Sequence, residues 1–208
     1  MKKIAIIAFL LAVCVAAGRA QESRQDISIS GTGLIEPFVG SSTDVYVHSN
    51  TAYGGLISYR FMLTPSSALE ANYGITYQNK INFSGGQLGY TGITVLTRNQ
   101  EISFAYVRSF NFRKFNPFVE AGPGALIFMP IRNSGTTILD AKQQTEMGGL
   151  YGAGIAYEIS PSFDIRAEYR GLITKVPNFG DTTSGTYNLS TNKWYNIYVP
   201  TLGVAYHF

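Results

Sequence analysis

Cysteine is almost missing from this sequence: the single Cys14 among 208 residues lies in an N-terminal apolar run. No disulfide framework or cysteine-based metal site can exist in the remainder. Charge is also scarce, at 14% of residues against 13% aromatic. A disordered chain has the opposite balance, so that class is excluded. The two histidines, His48 and His207, are too far apart in sequence to support a metal site. Beyond the first 20 residues there is no long apolar run and no helical period, so no membrane-spanning helix is expected. Gly31-Thr32-Gly33 is too little for a phosphate loop, with no GKS or GKT after it.

Residues 1–20 read as a secretory signal. Lys2 and Lys3 supply the positive end, Ile4 to Ala17 an apolar stretch of 14 residues, and Gly18-Arg19-Ala20 the small residues of a cleavage site. Val13 is too large for the position before a lipidated Cys14. Removing this segment takes away Lys2, Lys3 and Arg19, leaving 13 bases against 13 acids. The basicity of the whole chain belongs to the signal, and nothing argues for a nucleic-acid partner.

What fills residues 21–208 is alternation with period two, the mark of a strand with two unlike faces. Phe163, Ile165, Ala167 and Tyr169 share one face; Asp164, Arg166, Glu168 and Arg170 share the other. Leu69, Ala71, Tyr73, Ile75 and Tyr77 oppose Glu70, Asn72, Gly74, Thr76 and Gln78. Tyr151 to Ile159 repeats the pattern against Gly152, Gly154, Ala156 and Glu158. Weaker versions run through Ile57 to Leu63, Glu101 to Tyr106 and Val119 to Met129, with a first strand within Asp26 to Gly40 and a last from Trp194 to Phe208.

Compact connections at Thr64 to Ser67, Asn111 to Asn116 and Ser160 to Ser162 alternate with longer polar ones near 41–51, 80–96, 132–144 and 177–192. Seven connections imply eight strands, with four loops on one rim and three turns on the other. That is the pattern of an all-β, eight-stranded, antiparallel up-and-down transmembrane β-barrel.

Three features turn the apolar face outward. So narrow a tube cannot hold all the large Tyr, Phe and Ile side chains, and small residues on the polar face, Gly74, Gly122, Gly124, Gly152, Gly154 and Gly203, relieve crowding inside it. Aromatics gather near strand ends, Phe61, Tyr106 and Phe163 toward the turns, Tyr53, Tyr77, Tyr151, Tyr169 and Trp194 toward the loops, as membrane girdles do. Finally, Thr201, Gly203, Tyr206 and Phe208 resemble the C-terminal assembly signal of outer-membrane proteins. With the export signal, the chain resembles the small eight-stranded bacterial outer-membrane barrels of the OmpA, OmpX and OmpW type. The resemblance implies a bacterial outer-membrane location and insertion by the barrel-assembly machinery. It also implies contact with outer-membrane lipid and lipopolysaccharide, and a possible surface ligand at the long loops. No peptidoglycan-binding domain of the OmpA kind is expected after the barrel.

On this register the lumen receives Arg60, Glu70, Glu101, Glu120, Glu158, Asp164, Arg166, Glu168 and Arg170, with Glu36 a further candidate. They read as an internal network of ion pairs that plugs the tube, with a proton-linked gate as the sharper alternative and acid–base catalysis the remotest. No catalytic, cofactor-binding or metal residue is assigned. The leading expectation is a non-enzymatic barrel with an envelope-structural or surface-loop binding role. The rival is passage of small hydrophobic molecules, as proposed for the OmpW type, supported by Leu150, Ile197 and Val199 on the lumen side and by the strand breakers Pro123, Pro130 and Pro200. The remotest is a lipid-modifying hydrolase built on His48 with Asp44 and Ser49 in the first long loop.

Overall fold

The structure, a computed structural model, describes residues 24–40, 45–85, 92–131, 141–179 and 191–208. The expected signal segment and part of each long loop lie outside the described residues. Among those residues all regular structure is β: β1 (Gln25–Leu34), β2 (Val39–Gly40), β3 (Tyr46–Ser49), β4 (Ala52–Thr64), β5 (Ser67–Ser84), β6 (Ile93–Ser109), β7 (Phe115–Pro130), β8 (Gln144–Ser160), β9 (Phe163–Lys175) and β10 (Trp194–His207). β1 pairs with β4, and β4 to β10 each pair antiparallel with the next. The ladder from Asp26–His207 to Thr32–Thr201 then joins β1 to β10. Eight strands therefore close a barrel, leaving no free edge, as a sheet in lipid requires.

The pleat decides what each face holds. In β9 burial alternates residue by residue, with Phe163, Ile165, Ala167 and Tyr169 outside and Asp164, Arg166, Glu168 and Arg170 inside. The outer wall exposes large apolar side chains throughout, among them Ile29, Tyr53, Phe104 and Leu202, each at least 60% exposed. A water-soluble barrel has the reverse arrangement. The bore is narrow enough to need glycine: a Cβ on Gly154 would stand 2.5 Å from the Phe118 ring, and one on Gly152 2.7 Å from Glu120 Oε1.

Toward the loop rim the alternation changes phase. Tyr77 and Gln78 both face outward before Asn79 turns in. Opposite them β6 supplies one residue fewer: Thr76 pairs with Asn99, but Asn79 pairs with Thr97. Gln78 sits at φ 58°, a bulge conformation. The neighbouring strand does the same, since Asn50 and Thr51 are both exposed between buried Ser49 and Ala52. The Asn50 side chain replaces the missing ladder bond by accepting from Lys80 N at 2.6 Å. The first strand also breaks at 35–38, although Leu34–Ala52 and Val39–Val47 keep one register across the gap.

This corrects three expectations. Gln78 belongs to the outer face, because the bulge uses up one residue there. Residues 41–51 are not all loop, since β3 pairs with β5. The second long loop is shorter than 80–96, because β5 runs to Ser84 and β6 starts at Ile93.

Candidate functional site

The residues assigned to the bore from the sequence all face inward, and the structure sorts them into groups. Arg60 Nε on β4 donates to Glu70 Oε2 on β5 at 2.7 Å, a directly cross-strand pair. The Arg60 guanidinium also lies 4.7 Å from the centre of the Phe118 ring. Arg170 on β9 reaches across the tube, donating to Glu101 on β6 at 2.8 Å and Glu120 on β7 at 3.1 Å. Arg166, also on β9, makes a two-pronged contact with Asp26 on β1 at 3.1 and 3.3 Å. Asp26 is the partner missing from the sequence reading, although its face was visible in Asp26, Ser28, Ser30 and Thr32. Glu168 accepts from the Thr201 hydroxyl at 3.3 Å, and Asp164 meets His207 Nε2 at 2.8 Å. Glu158 is not drawn into these pairs; it lines the turn-side mouth.

That mouth is a cavity of about 320 Å³ lined by Glu158, Asp164 and His207 and floored by Arg60, Arg166 and Phe118. Above the ionic layer the bore turns apolar. Leu34, Leu126, Phe128, Leu150, Leu172 and Ile197 pack there, and with them Ile81 and Phe83, which the bulge has turned inward. Leu150, Ile197 and Val199 were the only members expected. Leu126 and Phe128 lie on the same face of β7 as Glu120, so parity would have found them.

One carboxyl sits apart, in the break between β1 and β2, beyond the membrane-spanning ladder. Glu36 accepts from Ser49 on β3 and from Asn79 on β5 at 2.8 Å, lacing three strands together where backbone pairing lapses. Burial pushes its carboxyl up to about 7, against the downward pull of the two hydrogen bonds. An acid whose folded pKa is raised keeps its proton in the folded state after the unfolded chain has lost it. Stability attributable to Glu36 therefore falls as pH climbs from 4.5 through 7 and is level above. Glu36→Gln removes that slope. Urea titrations should show the variant gaining on the parent by about 3 kcal/mol between acidic and mildly alkaline pH. Parallel curves across that range would contradict it.

The hydrolase constellation is not assembled. His48 is exposed on β3 while Ser49, the next residue, points into the bore to Glu36. Asp44 lies outside the described residues. No group of three or more potential metal ligands occurs among the described residues. The residues that resemble an assembly signal are split by the pleat: Thr201 is buried inside, Gly203 packs against β1, and the Tyr206 and Phe208 rings stack 6.1 Å apart.

The family described as outer membrane protein beta-barrel domain matches residues 5–208. The chain belongs to that family. It is thus an outer-membrane barrel, and its apolar exterior is a lipid-facing wall. Solved structures agree on the fold. OprG from Pseudomonas aeruginosa superposes with a TM-score of 0.65 at 11% identity, over 90% of this chain and 97% of that one. The Neisserial surface protein A follows at 0.60 and 14% identity, over 89% and 98%. The N-terminal barrel domain of Pseudomonas aeruginosa OprF gives 0.50 at 18% identity, over 90% and 100%. No curated protein matches the chain.

Proposed function

We propose that this outer-membrane barrel is a closed, non-enzymatic envelope protein that acts through its surfaces rather than through its bore. The observation that carries the reading is Arg170, which reaches through the bore from β9 to β7 and β6, two and three strands away. A packed apolar layer lies above it, with Ile81, Phe83, Phe128 and Ile197 fully buried. Together the two layers fill the bore with buried side chains, which supports a closed tube. Reconstituted in a planar bilayer, the barrel should give no stable open steps; sustained steps would sink the proposal.

A second reading, passage of small hydrophobic molecules, has one observation in its favour. The apolar loop-side interior lies beside the break at 35–38, where Pro37 has no N–H to give the ladder. An apolar probe taken up equally by cells with and without the protein would remove this reading.

A further inference from the structure

Charge is segregated radially in this barrel. Among the described residues every Asp and Glu is buried or half-buried, and every exposed charged side chain is a Lys or Arg. At the loop rim two of those cations stand side by side. Asn79 pairs with Thr97 and Lys80 with Leu96, so Lys80 on β5 and Arg98 on β6 are diagonal neighbours on the outer face, about 7–8 Å apart. Lys80 points outward only because the bulge at Gln78 shifts the pleat; without it, Ile81 would take the outer face. Among the described residues no carboxylate meets either cation, and Arg98 contacts the sulfur of Met129 at 3.5 Å.

The surroundings specify what would cover this pair. Just below it, toward the membrane, the paired Tyr53 and Tyr77 stand exposed at the level where rings favour the headgroup zone. Above it the outer face is polar but uncharged, with Thr94 donating to Asn82 at 2.5 Å and His48 alongside on β3. Long loops mark the extracellular rim of such barrels. An occupant must therefore sit in the outer leaflet, carry anionic oxygens at headgroup height, and offer hydroxyls above them.

We propose that the outer face of β3, β5 and β6 binds the headgroup of a phosphorylated glycolipid of the outer leaflet, with Lys80 and Arg98 holding a phosphate and His48, Asn82 and Thr94 meeting the sugar. Arg98 presents planar paired donors suited to phosphate oxygens, and Lys80 adds a point charge beside them.

The full barrel in uncharged detergent micelles, titrated with diphosphorylated lipid A, tests this. The parent should bind saturably, and a Lys80→Gln/Arg98→Gln double variant should bind at least tenfold more weakly. A Lys175→Gln/Lys193→Gln control, which removes two exposed cations from the β9–β10 side of the rim, should stay within twofold of the parent. Dephosphorylated lipid A should not bind. Heat-modifiable migration on a gel verifies that each variant is folded. Equal affinity of the double variant and the parent would overturn the assignment. So would phosphatidylglycerol binding as tightly as lipid A, which would mean that the pair is a general anionic-lipid contact.

Discussion

Replacing Arg170 with methionine is expected to lower the unfolding free energy by about 3–5 kcal/mol, because it leaves buried carboxylates without their cation. Methionine keeps much of the stem volume and removes the guanidinium. Glu101 and Glu120, on the neighbouring strands β6 and β7, are then left buried with the ion that joined them gone. The other two buried arginines are already engaged, Arg60 by Glu70 and Arg166 by Asp26. Carrying Glu101→Gln and Glu120→Gln in addition should restore most of the loss, since neither side chain then carries a charge to strand. Trp194, the one tryptophan, stands exposed on the outer wall at the loop rim, so its emission reports its transfer from lipid to water. Urea titration in phospholipid vesicles, followed by that signal, compares the three proteins. If Arg170→Met unfolds at the parent's urea midpoint, the crossing contact adds nothing to stability and the case for a mechanically closed bore weakens with it.

The architecture was legible because lipid and the narrow bore impose opposite demands on alternate residues. Tyr, Phe and Ile cannot fit inside, and Glu and Arg cannot stay outside at membrane depth, so each strand displays its register in its own composition. The inward set from Arg60 to Arg170 followed from that alone. Which charge meets which did not. Arg170 finds Glu101 three strands away, and that distance is set by the shear of the closed barrel, which no single strand encodes. Asp26 escaped notice because β1 was the least regular segment in composition. The upper barrel was misread for a different reason. Above the membrane the outer face can be polar and the inner face apolar, so the contrast reverses. Asn79, Lys80, Ile81, Asn82 and Phe83 then look like a mixed loop. His48 and Ser49 fall in the same zone, where a strand sends adjacent side chains to opposite faces and separates what a loop could have joined.

The reversal hangs on the phase of β5 above the bulge, and inserting one alanine between Lys80 and Ile81 should therefore be the most damaging one-residue change in the upper barrel. The added residue takes the inward position that follows Lys80. Ile81 and Phe83, both fully buried, would be driven to the outer face, and Asn82 would enter the apolar layer. Each displaced apolar side chain forfeits about 1.5–3 kcal/mol of burial, and an unpaired amide inside costs about 1–3 kcal/mol more. The expected loss is about 5 kcal/mol or more, enough to remove the heat-modifiable folded band altogether. Deleting Gln78 has the opposite consequence. Thr76 already pairs with Asn99 and Asn79 with Thr97, so the ladder to β6 becomes regular while Asn79, Ile81 and Phe83 stay inside and Lys80 outside. The deletion should cost only about 1 kcal/mol, for the disturbed contact between Asn50 and Lys80 N. Gln78→Gly keeps the residue count and relieves a φ of 58° that a side chain tolerates poorly. It should equal the parent or exceed it by up to about 1 kcal/mol. The contrast between insertion and deletion isolates phase from residue count. An insertion variant that folds with parental stability would show that the upper strands can slide by one residue without penalty, and that burial of Ile81 and Phe83 does not set the register there.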